Sequence, residues 1–476
     1  MKAAVYHGRE LRLEDAAWDP LLRQALEEAL RFLRELPERR VGPAATAGEL
    51  REALGGPVPE GPAEAGEVLA DLARAAGAGL VATPGPRYFG FVIGGSLPAA
   101  VAADWLASAW DQNAGLSVAS PAAGVVEEVT AGWLAELLGL PPEVSAGFVT
   151  GGQMANVTGL AAARHQVLAA VGWDVERRGL IGAPAVRVVV GEQRHATVDQ
   201  ALRLLGLGSD TLIRVPADGQ GRMRADALAE VLDRLDGGPL IVCGQAGNVN
   251  TGACDPVGVL ADLTHAAGGW FHIDGAFGLW AAASERSRHL VEGAERADSW
   301  ATDGHKWLNV PYDSGLAFCA HPRAHRAAMS VQASYLTPGG DERDGQDFTP
   351  EASRRARALP LYAALRSLGR AGVAALVERC CALARRFATS LGGAGGIEVC
   401  NDVVLNQVLV RFRSPDGDHD TRTCEVIRAV QAEGTCWMGG TTWHDQALMR
   451  ISVSNWSTTE DDVDRSVEAI LRCASH

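Results

Sequence analysis

Apolar positions along the chain follow two periods, and their order assigns a fold class. Short runs rich in β-branched and aromatic residues recur near 146–150, 186–190, 211–215, 239–243, 270–274, 299–303 and 315–320. Stretches with helical spacing separate most of them. This strand–helix–strand rhythm predicts an α/β fold with a mainly parallel seven-stranded sheet. Upstream, Asp19-Pro20 opens a stretch that places Leu22, Leu26, Ala29, Leu30 and Leu33 on one face, a capped amphipathic helix. The Gly-, Pro- and Ala-rich stretch from Val41 to about Gly66 reads as a link, and a second helix as covering about 67–76. Downstream, a long helix begins at Pro360, strands alternate over 404–412 and 448–453, and a helix over 461–473 closes the chain. The division expected is an N-terminal helical arm (1–85), a large domain (86–358) and a small α+β C-terminal domain (359–476).

Composition narrows the class of partner. A chain of 476 residues with 47% hydrophobic and 21% charged residues suits a globular protein of two or three domains. A formal charge of −15 argues against nucleic acid and anionic membranes. No apolar run reaches the ~18 residues of a membrane span, and the N-terminus lacks an apolar signal core, so a cytoplasmic location is expected. Nine cysteines are scattered without a CxxC pair, and Cys380-Cys381 lies in a helical pattern. They are read as reduced thiols, with no metal site expected.

The chain has only two lysines, Lys2 and Lys306, among 43 basic residues. Arginine replaces lysine for solubility and ion pairing, but its guanidinium does not serve as an amine nucleophile. Either Lys306 survived a drift toward arginine by chance, or it is kept for its chemistry. Its surroundings favour chemistry. It follows a short strand and the turn Asp303-Gly304-His305, at the strand edge where α/β folds place ligands. Trp307, Leu308 and Val310 are expected to wall the amine with apolar surface, which favours its neutral form.

Three more features sit at strand ends. Phe148-Val149-Thr150-Gly151-Gly152-Gln153-Met154 reads as strand, glycine pair and helix start, an arrangement that aims backbone N–H groups at a phosphate. His195 follows the strand Val188-Val189-Val190 and can stack on a flat ring; alone it also fits an ordinary loop histidine. Asp274 ends Trp270-Phe271-His272-Ile273, where a carboxylate can keep a pyridinium protonated or simply cap a turn.

The order glycine pair, His195, Asp274, His305-Lys306 resembles the group II pyridoxal-phosphate-dependent amino acid decarboxylases, a family that includes aromatic-L-amino-acid, tyrosine and glutamate decarboxylases. The likeness runs from about residue 85 to the C-terminus. It implies the aspartate-aminotransferase-like fold, pyridoxal 5'-phosphate as cofactor, and decarboxylation of an aromatic or related L-amino acid by a homodimer. Lys306 would be the Schiff-base lysine, His195 the stacked ring and Asp274 the partner of the pyridine nitrogen. Gly152, Gln153, Met154, Ala276 and His305 would surround the cofactor, and Ser353 would reach the neighbouring subunit's phosphate. The polar loop 330–351 would be a lid over the partner's site, carrying Tyr335 as proton donor to the carbanion. Arg450 would bind the substrate carboxylate and Phe91 its side chain. Gly90-Phe91-Val92-Ile93 replaces the aromatic-Phe-Pro-Thr loop of the animal enzymes, so Phe91, Trp105 and Trp110 are the residues that would rebuild an aromatic clamp. Aldehyde-forming oxidative decarboxylation, transamination and C–C lyase chemistry are the alternatives on the same cofactor, and a catalytically silent cofactor-fold interaction protein is the alternative of another class.

Borohydride reduction of the cofactor-loaded chain, followed by peptide mapping, is predicted to leave the pyridoxyl mass on Lys306. Label on Lys2, or no label, would refute the assignment.

Overall fold

The computed structural model describes residues 18–331 and 342–475. All seven predicted strands form: β1 (Ser145–Val149), β2 (Arg187–Gly191), β3 (Ile213–Val215), β4 (Leu240–Gln245), β5 (Trp270–Asp274), β6 (Ser299–Asp303) and β7 (Gly315–Cys319). They make one sheet in the order β1-β7-β6-β5-β4-β2-β3, with β7 alone running against its neighbours. β1, β2, β4, β5, β6 and β7 are buried almost throughout, which is why they read as continuous apolar runs rather than alternating ones. A second sheet of four strands, β8 (Ile397–Val399), β9 (Gln407–Phe412), β10 (Gly439–Trp443) and β11 (Gln446–Ser452), is antiparallel in the order β10-β11-β9-β8.

The N-terminal helices are α1 (Trp18–Glu35), α2 (Ala47–Leu54) and α3 (Ala65–Gly77), followed by α4 (Pro98–Trp110) and α5 (Pro121–Leu138). Helix α2 lies inside the stretch read as a link. Its start is closed by a capping box: the Glu49 N–H donates to Thr46 Oγ1 (3.3 Å) and the Thr46 N–H to Glu49 Oε2 (2.7 Å). The glycines and prolines around it mask an eight-residue helix that the Thr46-Ala47-Gly48-Glu49 pattern announces. The large sheet is flanked by α6 (Gly152–Ala169), α7 (Val175–Arg178), α8 (Ala196–Leu204), α9 (Ala225–Asp233), α10 (Val257–Ala266) and α11 (Pro322–Met329). Then α12 (Ala358–Gly392) runs to the small sheet, broken at Gly369 (φ 61°); α13 (His419–Glu433) packs on that sheet, and α14 (Glu460–Ala474) packs against α12 and α13.

Residues 87–91 pair with the small sheet: the Phe89 N–H donates to Trp437 O (2.9 Å) and the Ser452 N–H to Phe89 O (3.0 Å). The loop after Lys306 is held to this layer by Asn309, which is fully buried with φ 57°. Its Oδ1 accepts from the N–H groups of Gly95 (2.6 Å) and Trp456 (3.0 Å), and its Nδ2 donates to the carbonyls of Trp307 (2.7 Å) and Ser454 (2.9 Å). Both ends of the amide are therefore satisfied, and asparagine tolerates the left-handed backbone.

Asn309→Ala is predicted to destabilise the chain by roughly 3–5 kcal/mol, because four buried partners lose their bonds and the left-handed φ strains alanine. Asn309→Gly should cost about 1 kcal/mol less, since only the backbone strain is relieved. Denaturant unfolding followed by circular dichroism checks both; a loss below ~1 kcal/mol in Asn309→Ala would show that the hub carries little.

Candidate active site

Four strand ends converge at one edge of the large sheet. β1 leads through Thr150-Gly151 into α6, β2 through a turn to His195, β5 ends on Asp274, and β6 ends on Asp303 just before Lys306. This is the carboxyl edge where open α/β sheets bind ligands. A cavity of about 340 Å³ opens there, lined by Gly152, Gln153, His195, Asp274, Ala276, Lys306 and Arg450. The structure thus brings together most of the residues expected from the sequence.

Lys306 does not sit against an apolar wall. Its Nζ is 2.8 Å from Oδ2 of Asp303, whose side chain is 1% exposed. Oδ1 of Asp303 accepts from the Gly152 N–H (2.5 Å), at the first turn of α6. Trp307, Leu308 and Val310 are buried in the main core instead, so the apolar residues anchor the loop and leave the amine to the carboxylate. His305 is held on both nitrogens: Nδ1 accepts from the Ser314 N–H (3.1 Å) and Nε2 lies 3.3 Å from Asp303 Oδ1. Its ring stacks on Tyr312 at 4.3 Å. Burial holds His305 below its ordinary pKa, with Asp303 opposing. A Cβ on Gly152 would lie 2.7 Å from Asp303 Oδ2, so this contact requires glycine.

His195 caps the start of α8. Its Nδ1 meets Thr197 Oγ1 at 2.8 Å and the Thr197 N–H at 3.3 Å. Burial holds its pKa below the ordinary value, with Asp274 opposing. Asp274 is 4% exposed, and its Oδ1 accepts from the Ala276 N–H (3.3 Å). Arg450, on β11, donates to the Val249 carbonyl (3.1 Å). Phe91 lines the cavity with φ 56°, stacked on Trp437 at 5.7 Å.

Other expected residues fall elsewhere. The Met154 side chain packs against Val149, Ala155, Ala301 and Ala317, leaving its backbone to the helix start. Ser353 is exposed and does not line this cavity. Trp105 lines a groove beside α1, and Trp110 is exposed at the end of α4, so neither joins Phe91 in a clamp. Their helix presents them away from the sheet edge. Tyr335 lies outside the described residues. Sequence reasoning missed Asp303, Thr197 and Tyr312. Asp303 was legible only as a turn residue, and Tyr312 was marked only by being one of five tyrosines.

A profile of the pyridoxal-dependent decarboxylase conserved domain matches residues 48–414. The chain belongs to the pyridoxal-dependent decarboxylase family. It is 28% identical to an aromatic-L-amino-acid decarboxylase of Bacillus atrophaeus, over 92% of each chain. It is 30% identical to an L-2,4-diaminobutyrate decarboxylase of Rhizobium meliloti, over 78% of this chain and 74% of that protein. A solved Oryza sativa TDC with PLP and tryptamine shares the fold with a TM-score of 0.91 at 24% identity, covering 98% of this chain and 99% of that one.

The residues present in this decarboxylase fit pyridoxal phosphate. The cavity has the size of a small-cofactor site. It holds the chain's one internal lysine, a carboxylate at the β5 end, an imidazole and a helix N-terminus that only glycine can bring this close to β6. Amine, carboxylate and N-terminal N–H groups are the donor set for an aldehyde, a pyridine nitrogen and a phosphate.

Acid is predicted to destabilise the fold. Burial holds His272 and His325 down at about 3 and lowers His195 and His305. A histidine kept neutral in the fold takes up a proton on unfolding, so its stabilising effect is present above about 6.5 and is lost as pH falls toward 3. Asp255, raised by burial to about 6, opposes this between about 4 and 6, and Asp347, also raised by burial, acts in the same sense, but two carboxyls do not balance four histidines. The urea midpoint should therefore fall between about pH 7 and pH 5, and fall less in His325→Gln. A flat profile would contradict the assignment.

Proposed function

We propose that the chain decarboxylates an aromatic or related L-amino acid to its amine, using Lys306, His195, Asp274 and Arg450, with Tyr335 as proton donor. The observation that carries this reading is the convergence of Lys306, His195, Asp274 and Arg450 on one cavity. When bound, pyridoxal phosphate supplies the electron sink for the pair released as the Cα–carboxylate bond breaks. Lys306 supplies the cavity's amine and Asp303 fixes where it starts. Asp274 would accept from the ring nitrogen and keep it protonated. Gly152 gives its N–H to Asp303, and the backbone of Gln153 and Met154 beside it would offer the rest of the α6 N-terminus to the phosphate, with Ala276 nearby and His305 buttressing Asp303. His195 would cover one face of the ring and position the scissile carboxylate. The Arg450 guanidinium suits a carboxylate, and Phe91 with Val92, Ile93, Val249 and Phe277 suits an apolar side chain.

Relatives act on different side chains, an aromatic one in one case and diaminobutyrate in another. Among the described residues, Asp274 is the sole carboxylate lining the cavity. A second ammonium would have no counter-charge, which favours the aromatic class. One relative is a phenylacetaldehyde synthase of Arabidopsis thaliana, 24% identical over 90% of each chain. The presence of both His195 and Tyr335 favours amine over aldehyde.

The active unit is proposed to be a cytoplasmic homodimer. No helix among the described residues is long and apolar enough to cross a membrane, and all nine cysteines are free thiols. Helix α1 buries none of its residues fully; Trp18, Leu22, Leu26 and Leu33 are exposed, and a groove of about 720 Å³ lies between α1, α4 and Trp456. An amphipathic helix with its apolar face uncovered calls for a partner surface. Exposed Ser353 is then available to a neighbouring site.

The loaded enzyme, screened against the twenty amino acids and common aromatic derivatives, is expected to release CO₂ and amine in equal amounts from an aromatic substrate. Tyr335→Phe should lower the amine and raise aldehyde, ammonia and oxygen uptake, and mixing it with Lys306→Ala should restore activity if sites are shared. Release of no CO₂ from any of them would refute the reaction. An unchanged Tyr335→Phe would move the proton donor to His195 or to Tyr312, the phenol that the described residues place at the cavity.

A further inference from the structure

Behind His195 runs a line of buried polar side chains that crosses from the sheet to α8. The Trp270 indole N–H donates to Ser299 Oγ (2.9 Å). Ser299 Oγ lies 2.8 Å from Nδ1 of His272, its register partner on the adjacent strand. Nε2 of His272 lies 2.9 Å from Asn156 Oδ1 on α6. Asn156 Nδ2 donates to Thr197 Oγ1 (3.4 Å), and that oxygen lies 2.8 Å from His195 Nδ1. Trp270, Ser299, His272 and Asn156 are each at most 2% exposed, so no solvent relieves a mismatched proton.

The direction of every bond in this line is set from both ends. An indole N–H only donates. Ser299 Oγ accepts from Trp270 and has His272 as its one other side-chain partner, so its own proton goes to His272 Nδ1. His272, neutral in its burial, then carries its proton on Nε2 and donates to the Asn156 oxygen. The Asn156 amide nitrogen donates to Thr197, whose hydroxyl proton goes to His195 Nδ1. At the far end the Thr197 backbone N–H also points at Nδ1 (3.3 Å), and a backbone N–H only donates. The reverse arrangement would set two protons against each other at that point.

We propose that Trp270, Ser299, His272, Asn156 and Thr197 form a one-way hydrogen-bond chain that fixes the tautomer of His195, leaving its proton on Nε2. Among the described residues Nε2 has no hydrogen-bond partner, and His195 lines the cavity, so this is the N–H offered to the ligand. The five are positioning residues: they act through His195. The consequence for catalysis rests on the role proposed above for His195; the tautomer itself does not. In that role the Nε2–H is a donor from the first encounter, able to hold a substrate carboxylate without a prior proton transfer. A histidine with an unassigned proton would present an acceptor in part of the molecules, and those would bind the carboxylate poorly.

The test is the ¹⁵N spectrum of the histidine rings, in the loaded enzyme and in the cofactor-free chain, with His195 assigned by its absence in His195→Gln. The wild type should show an unprotonated Nδ1 and a protonated Nε2 at His195. Asn156→Asp is nearly isosteric but can only accept. Facing it, the Thr197 hydroxyl turns to donate to the new carboxylate and no longer to His195, so Nδ1 keeps only the Thr197 N–H and the two ring shifts should move toward a mixture of tautomers. Thr197→Val should weaken the preference in the same sense, and Thr197→Ser, which keeps the hydroxyl, should restore the wild-type pattern. A merely structural role for these side chains would alter stability and leave the ring shifts alone. A wild-type His195 protonated on Nδ1 or averaged between tautomers would overturn the proposal. So would unchanged shifts in a folded Asn156→Asp or, should that chain not fold, in Thr197→Val. Full CO₂ release by His195→Gln would instead remove the catalytic role of His195 and leave the tautomer result standing.

Discussion

Asn309 is the constraint on which the geometry of the site depends. One buried amide binds the lysine-bearing loop, the Gly94-Gly95 turn and the C-terminal layer through four hydrogen bonds. The loop approaches that turn so closely that a Cβ on Gly94 would overlap the Lys306 carbonyl oxygen. Position of the amine is therefore not a property of β6 alone. It is shared between the end of a buried strand and the small domain, three residues away on the other side of Lys306. A loop clamped at Asp303 and at Asn309 has little freedom left between them, which is what a covalent anchor for a ring needs.

The charges in the cavity balance locally although the chain as a whole carries −15. Lys306 faces Asp303, and the Gly152 N–H shares the same carboxylate. Asp303 thus does two jobs before any ligand arrives: it occupies the positive end of α6 and it directs the amine. His195 and His305 are kept neutral by burial, so neither adds a cation to a site already holding Lys306 and Arg450. Uncharged imidazoles at these two places leave the carboxylates Asp274 and Asp303 to set the field.

The large sheet was legible because its strands are buried on both faces. Such strands appear as unbroken apolar runs bounded by turn residues, and all seven were placed within about three residues of their ends. The residues at the strand ends were legible for the same reason, since Asp274, Lys306 and His195 each interrupt or follow such a run. What was missed lies off this pattern. Helix α2 hid among glycines and prolines, although Thr46 and Glu49 spelled its cap. The apolar wall predicted for Lys306 was drawn from residues next to it in sequence, but a turn sends consecutive side chains in different directions, and Trp307 and Leu308 went to the core. Trp105 and Trp110 lie five positions apart on α4, so they do not share a face of that helix, and neither lines the cavity with Phe91. The line from Trp270 to Thr197 draws on four separate elements, and no spacing in the sequence joins them.

Floor and walls of the cavity come from different parts of the fold, and this separates chemistry from selectivity. The groups proposed to meet the cofactor sit on the ends of β1, β2, β5 and β6, which the sheet holds in place. The remaining lining groups, proposed to face a substrate, come from turns and from the small sheet: Phe91 and Ile93 before α4, Val249 in the turn after β4, Arg450 on β11. Arg450 itself is tied to that turn through the Val249 carbonyl, so the guanidinium and one apolar wall of the cavity are held together. Replacing Phe91 or Val249 changes the shape offered to a side chain without touching a strand of the large sheet. A fold built this way can keep one reaction while its walls change, and the catalytic ends of the sheet bear none of that variation.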